Sequence, residues 1–183
     1  MNAFPIETGK KLDLLLEDTM WEKPKRFKDR LIARAVIFNG NSLIFASIDR
    51  DDEFATMKYI ETSGGGVEKG ESLQDAVKRE VQEELGLKIE LVSYLGQVTD
   101  YYNLIGRRNL NHYFLARKVG TVKKHLQDDE ERLFHLEPKA LSYQEAIEIY
   151  QKNRDQKLGY LLYQREVPVL MEAQRIIASY GLM

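Results

Sequence analysis

The chain has no cysteine, four prolines and a single tryptophan in 183 residues. Without cysteine there is no disulfide, no thiolate nucleophile and no zinc site built on sulfur. No stretch approaches the ~18 consecutive apolar residues that would span a bilayer. The N-terminus, "MNAFPIETGKKLDLLLEDTM", lacks a basic start leading into an unbroken apolar run. A cytoplasmic protein with no membrane partner is the expectation. An excess of positive charge is missing too, since 27 Lys and Arg stand against 29 Asp and Glu, a formal net charge of -2. No overall basic field exists to hold a nucleic-acid backbone, although "KPKRFKDR" near 23–30 is locally basic. Nucleic acid is the weaker expectation for a partner and a small molecule the stronger.

What is present suits one domain with modest terminal additions: 43% of residues are hydrophobic and 10% aromatic. Residues 1–29 read as a polar N-terminal extension with a short amphipathic piece at Leu12–Leu16. The core starts at "RLIARAVIFNGNSLIFASI", where two apolar runs meet at Asn39-Gly40, a strong hairpin signal. Further strands are expected at 57–62, 90–99, 110–117 and near 132–136. Helical periodicity predicts helices over 72–85, 142–153 and 164–180. This order favours an α/β domain over 30–183, a mixed sheet sandwiched by helices with a C-terminal helical addition.

The helix at 72–85 carries its charge in an unexpected place. Ser72 and Asp75 have capping-box spacing, and Gly86 follows Leu85 where a terminating glycine belongs. At about 100° per residue from Leu73, Val77 falls at about +40°, Val81 at about +80° and Ala76 at about -60°. Glu84 and Glu80 land inside that apolar arc, at about +20° and about -20°, and Glu83 lies at its edge. A solvated face would have placed these acids with Lys78 and Gln82. Carboxylates gathered on a core-facing side repel one another and lose hydration, so they need cations. Arg79 can serve one of them. The rest call for Mg²⁺ or Mn²⁺, or for structural salt bridges elsewhere in the fold. Gly64, Gly65 and Gly66 precede the helix, and such a stretch lets backbone groups approach a metal or phosphate without obstruction.

The pattern Gly65-x5-Glu71-x7-Arg79-Glu80-Val81-x-Glu83-Glu84-x-Gly86-Leu87 resembles the Nudix box, complete in every fixed position over 23 residues. The resemblance implies a Nudix-like α/β/α sandwich around a mixed β-sheet, here with an extra N-terminal segment and a C-terminal helix. It implies Mg²⁺- or Mn²⁺-dependent hydrolysis of a nucleoside diphosphate linked to another moiety, by water attack on phosphorus. Carried over by position, Glu80, Glu83, Glu84 and the carbonyl of Gly64 are the implied metal ligands. Arg79 would orient the glutamates and Glu71 would pair with Arg79. The general base is Glu83 or Glu80, or an acid on a later loop, for which Glu130 or Glu131 in "QDDEERLFHLEP" is the candidate.

Ser63 stands where many members of the family have proline, which stiffens the loop rather than supplying chemistry. Glu61, Arg50 and Tyr102 are candidate substrate contacts, Tyr102 by stacking a base. Lys58, Arg107 and Arg108 are further cationic candidates, and His112 reads as structural. The proline that marks members acting on ADP-ribose-like compounds, about fifteen residues past the box, is absent, since the chain has only Pro5, Pro24, Pro138 and Pro168. An isomerase of isopentenyl diphosphate on this fold needs a cysteine and is excluded. A nucleotide-sensing domain without catalysis and an RNA 5′-end pyrophosphohydrolase are the alternatives. A homodimer is the preferred assembly, with Trp21 and Leu12–Leu16 as an exchanged arm.

Overall fold

The structure is a computed structural model that describes residues 9–51, 56–123 and 136–182. Its strands are β1 (Leu12–Leu16), β2 (Lys28–Asn39), β3 (Ser42–Asp51), β4 (Thr56–Glu61), β5 (Ser63–Gly66), β6 (Leu87–Tyr102), β7 (Arg107–Thr121) and β8 (Glu137–Leu141). Its helices are α1 (Leu73–Leu85), α2 (Tyr143–Asn153) and α3 (Lys157–Tyr180). One mixed sheet runs β1-β6-β7-β2-β3-β4, with β5 paired to β2 and β8 to β3. β1 with β6 and β2 with β7 are parallel, and the other pairs are antiparallel. β2 lies between β7 and β3, so its run from Ile32 to Phe38 is buried without alternation. The helices flank the sheet: α1 lies against β2, β5 and β6, while α2 and α3 pack on each other.

Several elements depart from the sequence reading. The hairpin turn falls one residue later than Asn39-Gly40, because Asn39 still pairs with Ser42 and Gly40 takes the left-handed φ of 54°. The expected strand near 132–136 lies outside the described residues but for Leu136, and β8 begins at Glu137. Pro138 is accommodated there on a short strand that pairs with β3. The third helix starts at Lys157 rather than at 164. Its first turns can enter because Gly159 has no side chain; a Cβ there would lie 2.0 Å from the Asn153 carbonyl oxygen. Leu12–Leu16 is a strand, and it joins β6 of its own chain in parallel register, Leu12 beside Gly96 and Leu16 beside Asp100. Trp21 packs on Tyr102 at 5.5 Å between ring centroids. Asp18 accepts the Asn103 N–H at 2.7 Å. From residue 9 on, the N-terminal segment therefore closes on the sheet of its own chain.

Candidate active site

α1 begins where Ser72 Oγ accepts the Asp75 N–H at 3.1 Å, and the Asp75 carboxylate takes the Ser72 hydroxyl at 2.7 Å. It ends at Gly86, whose φ of 64° is the left-handed terminator. Ala76, Val77 and Val81 are fully buried on one face, and Glu80 and Glu83 share it at 8% and 7% exposure. Arg79 makes this tolerable. Its Nη1 donates to Glu80 at 2.9 Å and to Glu83 at 3.0 Å. Its Nε and Nη2 grip Glu71 at 2.9 and 3.0 Å, and Nη2 also donates to the Gly66 carbonyl at 2.9 Å. One guanidinium thus joins the acid helix to the glycine strand and to the loop between them. The Arg79 bond holds the Glu71 carboxyl below the usual carboxylate range.

The glycines are required by contact. A Cβ on Gly65 would sit 2.5 Å from the Glu80 carboxylate, so that group occupies the place a side chain would take. Gly64 has φ 151° and donates its N–H to Glu84 at 3.0 Å. Ser63 Oγ donates to the same Glu84 oxygen at 2.6 Å. Here the sequence reading needs correcting: Ser63 does more than tolerate a proline's place, since its hydroxyl holds a site carboxylate. Burial pushes the Glu84 carboxyl up to about 8, with the charge of Glu80 adding to the effect. The Ser63 bond, Arg34 and the Gly64 N–H oppose it without prevailing.

This donor set suits a hard divalent cation. It offers carboxylate and backbone oxygens alone, two of the acids share one guanidinium nitrogen, and burial pushes the pKa of the third up. Among the described residues no three acidic or imidazole side chains already converge into a cage. A cation would have to draw Glu84 toward Glu80 and Glu83.

Glu80, Glu83, Glu84, Arg79 and Gly64 line one cavity of about 940 Å³, together with Glu61, Arg50 and Tyr102. Glu71 stands behind Arg79. Glu130 and Glu131 lie outside the described residues. Arg107 lines the cavity as well, whereas Lys58 is an exposed residue paired with Asp49 at 2.7 Å. Arg108 pairs with Asp29, and His112 shares a hydrogen bond of 2.7 Å with Tyr94 OH.

Sequence reasoning named Glu61 but missed the charged residues around it. Glu61 is held by Arg34 at 2.8 Å and by Arg165. Arg165 Nε donates to Glu166 at 2.9 Å, and its Nη1 lies 3.7 Å from Asp100. Glu166 has no exposed surface and also accepts from Thr62 Oγ1 at 2.8 Å and Tyr113 OH at 3.0 Å. α3 is therefore wired into the cavity wall through buried charge. A signal for this existed. Measured from Leu162, Glu166 falls at about 40° on the stripe that carries Val169, Ala173 and Ile176, as the acids of α1 fall on theirs.

A glycine strand laid against an acid-bearing helix, on the edge of a polar cavity in a mixed sheet flanked by helices, defines a hydrolase of the Nudix class. The chain matches the NUDIX domain over residues 28–161 and belongs to that family. It is 27% identical over 139 residues to the Bacillus subtilis (strain 168) protein named "Putative 8-oxo-dGTP diphosphatase YtkD", covering 74% of this chain and 73% of that one. A NUDIX hydrolase from Nitrosomonas europaea has the same fold, with a TM-score of 0.60 at 19% identity over 81% of this chain and 90% of its own. An ADP compounds hydrolase shares the fold with a TM-score of 0.58 at 15% identity, covering 89% of this chain and 80% of its own. Among the described residues no helix is long and apolar enough to cross a membrane.

Proposed function

We propose that this Nudix hydrolase cleaves the pyrophosphate of a small nucleoside diphosphate derivative with Mg²⁺ or Mn²⁺ bound at Glu80, Glu83, Glu84 and the Gly64 carbonyl. The observation that carries this reading is the Arg79 bridge, which presents two buried carboxylates to the cavity beside the glycine strand. A divalent cation held there supplies neutralisation of the charge on the pyrophosphate oxygens. Glu83, or Glu80, accepts the proton of the attacking water as the anhydride phosphorus–oxygen bond breaks. Arg79 fixes the direction of both carboxylates, and Glu71 keeps Arg79 in place. Arg50 and Tyr102 touch the rest of the substrate in this reading, which their position in the cavity lining supports. Glu61, tied to Arg34 and Arg165, shapes the cavity between them. The name of the Bacillus relative makes a purine nucleoside triphosphate the first substrate to try.

The test is phosphate release from nucleoside triphosphates, dinucleoside polyphosphates, nucleotide sugars, ADP-ribose and triphosphorylated RNA, with each metal and beside Glu83→Gln. The expected result is metal-dependent cleavage of one small-molecule class, reduced by about 10²–10⁴-fold in the variant, the range for removing a general base. Silence across the panel from folded protein, or an unchanged Glu83→Gln rate, would overturn the reading.

A further inference from the structure

We propose that Asp100 reads the nucleobase, and that it selects a base presenting two adjacent N–H donors, as guanine does with N1–H and its 2-amino group. This rests on the reading that the substrate is a nucleotide, and it assigns the part of the cavity where β6, β7 and α3 meet. Asp100 lies near the end of β6, beside Leu16 of β1 and opposite Asn109 of β7. Its side chain lines the cavity and keeps 14% of its surface.

The carboxylate is fixed and not yet saturated. Asn109 Nδ2 donates to one oxygen at 2.9 Å, and Asn111 Nδ2 donates to the other at 2.6 Å. Arg165 Nη1 stands 3.7 Å away, close enough to hold the charge but beyond hydrogen-bond length. Each oxygen has two acceptor sites, so each retains one. Two acceptor sites side by side match two parallel N–H donors, the arrangement that makes bidentate pairing strong. Adenine sets its amino group beside a bare ring nitrogen, whose lone pair would face the carboxylate. Uracil and thymine set one N–H between two carbonyls, which repel it. Leu16 lies beside Asp100 in the sheet, and Tyr102, Ile105, Leu158 and Leu161 line the same cavity, apolar surface suited to the faces of a planar base.

Arg34 and Arg165 are already matched against Glu61, Glu166 and Asp100.

The test measures binding of GMP, IMP, AMP and UMP to the full chain in Mg²⁺ by calorimetry, for wild type and Asp100→Asn. These ligands have no anhydride, so binding does not depend on turnover. GMP is expected to bind at least about tenfold more tightly than AMP or UMP, a difference of about 1.4 kcal/mol. IMP, lacking the 2-amino donor, should fall between. In Asp100→Asn the GMP preference should shrink to within about threefold, because an amide replaces one acceptor by a donor. Equal binding of GMP and AMP by the wild type, no binding of any of the four, or a preference intact in the variant would overturn the assignment. Should the variant fail to fold, the wild-type comparison of GMP with IMP decides, and equality refutes it. Base selectivity without phosphate release would sink only the hydrolase reading, and cleavage with flat selectivity only this one.

Discussion

Gly65→Ala isolates the position of one carboxylate from the stability of the fold. Gly65 lies in β5 paired with Ala33, and its backbone is not in the left-handed region. The new methyl would meet Glu80 Cδ and Oε2 at 2.5 Å and Oε1 at 2.6 Å. To regain ordinary contact at about 3.5 Å, the carboxylate must retreat by about 1 Å. That retreat takes it from Arg79 Nη1, now at 2.9 Å, to beyond hydrogen-bond range, while Glu83 keeps its own bond. The clash is with the end of a flexible side chain, so the fold should survive. Glu80 is buried, so losing this charged hydrogen bond costs ~1.5–3 kcal/mol, while removing a glycine from the unfolded chain returns ~0.4–1 kcal/mol. The melting temperature should fall by less than about 10 °C. A displacement of about 1 Å at the chemistry should cost about 10²-fold in kcat/KM. The assay is phosphate release on the best substrate at saturating metal, with melting followed in parallel. Activity within about threefold of wild type would refute the claim that Glu80 must sit against Gly65. Gly64→Ala is the contrast: its Cβ would lie 2.2 Å from the Ala33 carbonyl oxygen at a φ of 151°, so it should damage the fold itself.

Two further outcomes follow from the buried charges. Arg165→Met removes the cation shared by Glu61 and Glu166 and should destabilise the chain by about 3–5 kcal/mol in urea unfolding. Arg165→Met/Glu166→Gln should cost less than the sum of its parts, and strict additivity would count against a coupled network. The pH dependence of Glu61 has a definite sign. Burial works to raise its pKa, but Arg34 and Arg165 together outweigh that and hold it below its ordinary value of 4.5. Its contribution is therefore present above that value and lost as pH falls through the folded one. The stability gap between wild type and Glu61→Gln should narrow in acid below about pH 4.5; a gap constant with pH would show that the carboxylate's charge contributes nothing.

Much of the acid helix was decided by the sequence alone. Residue spacing on a helix is fixed by its 3.6-residue turn, so the burial of Glu80 and Glu83 could be computed from their positions relative to Val77 and Val81. The capping by Ser72 and the stop at Gly86 are equally local. The Nudix pattern joined these to the glycines, because contacts between neighbours in sequence leave fixed intervals.

The part of the cavity where β6, β7 and α3 meet left no such interval. Asp100, Asn109 and Arg165 come from those three elements, and only the tertiary fold brings them together. Leu12–Leu16 became a strand because Gly96 left room for it: a Cβ there would lie 2.2 Å from the Leu12 carbonyl oxygen. The sequence by itself determined the acid helix, the glycines before it and the family they mark. The tertiary structure decided which other carboxylates line the cavity, because a charge is placed there by the strands that pack around it, and strand order follows no local spacing.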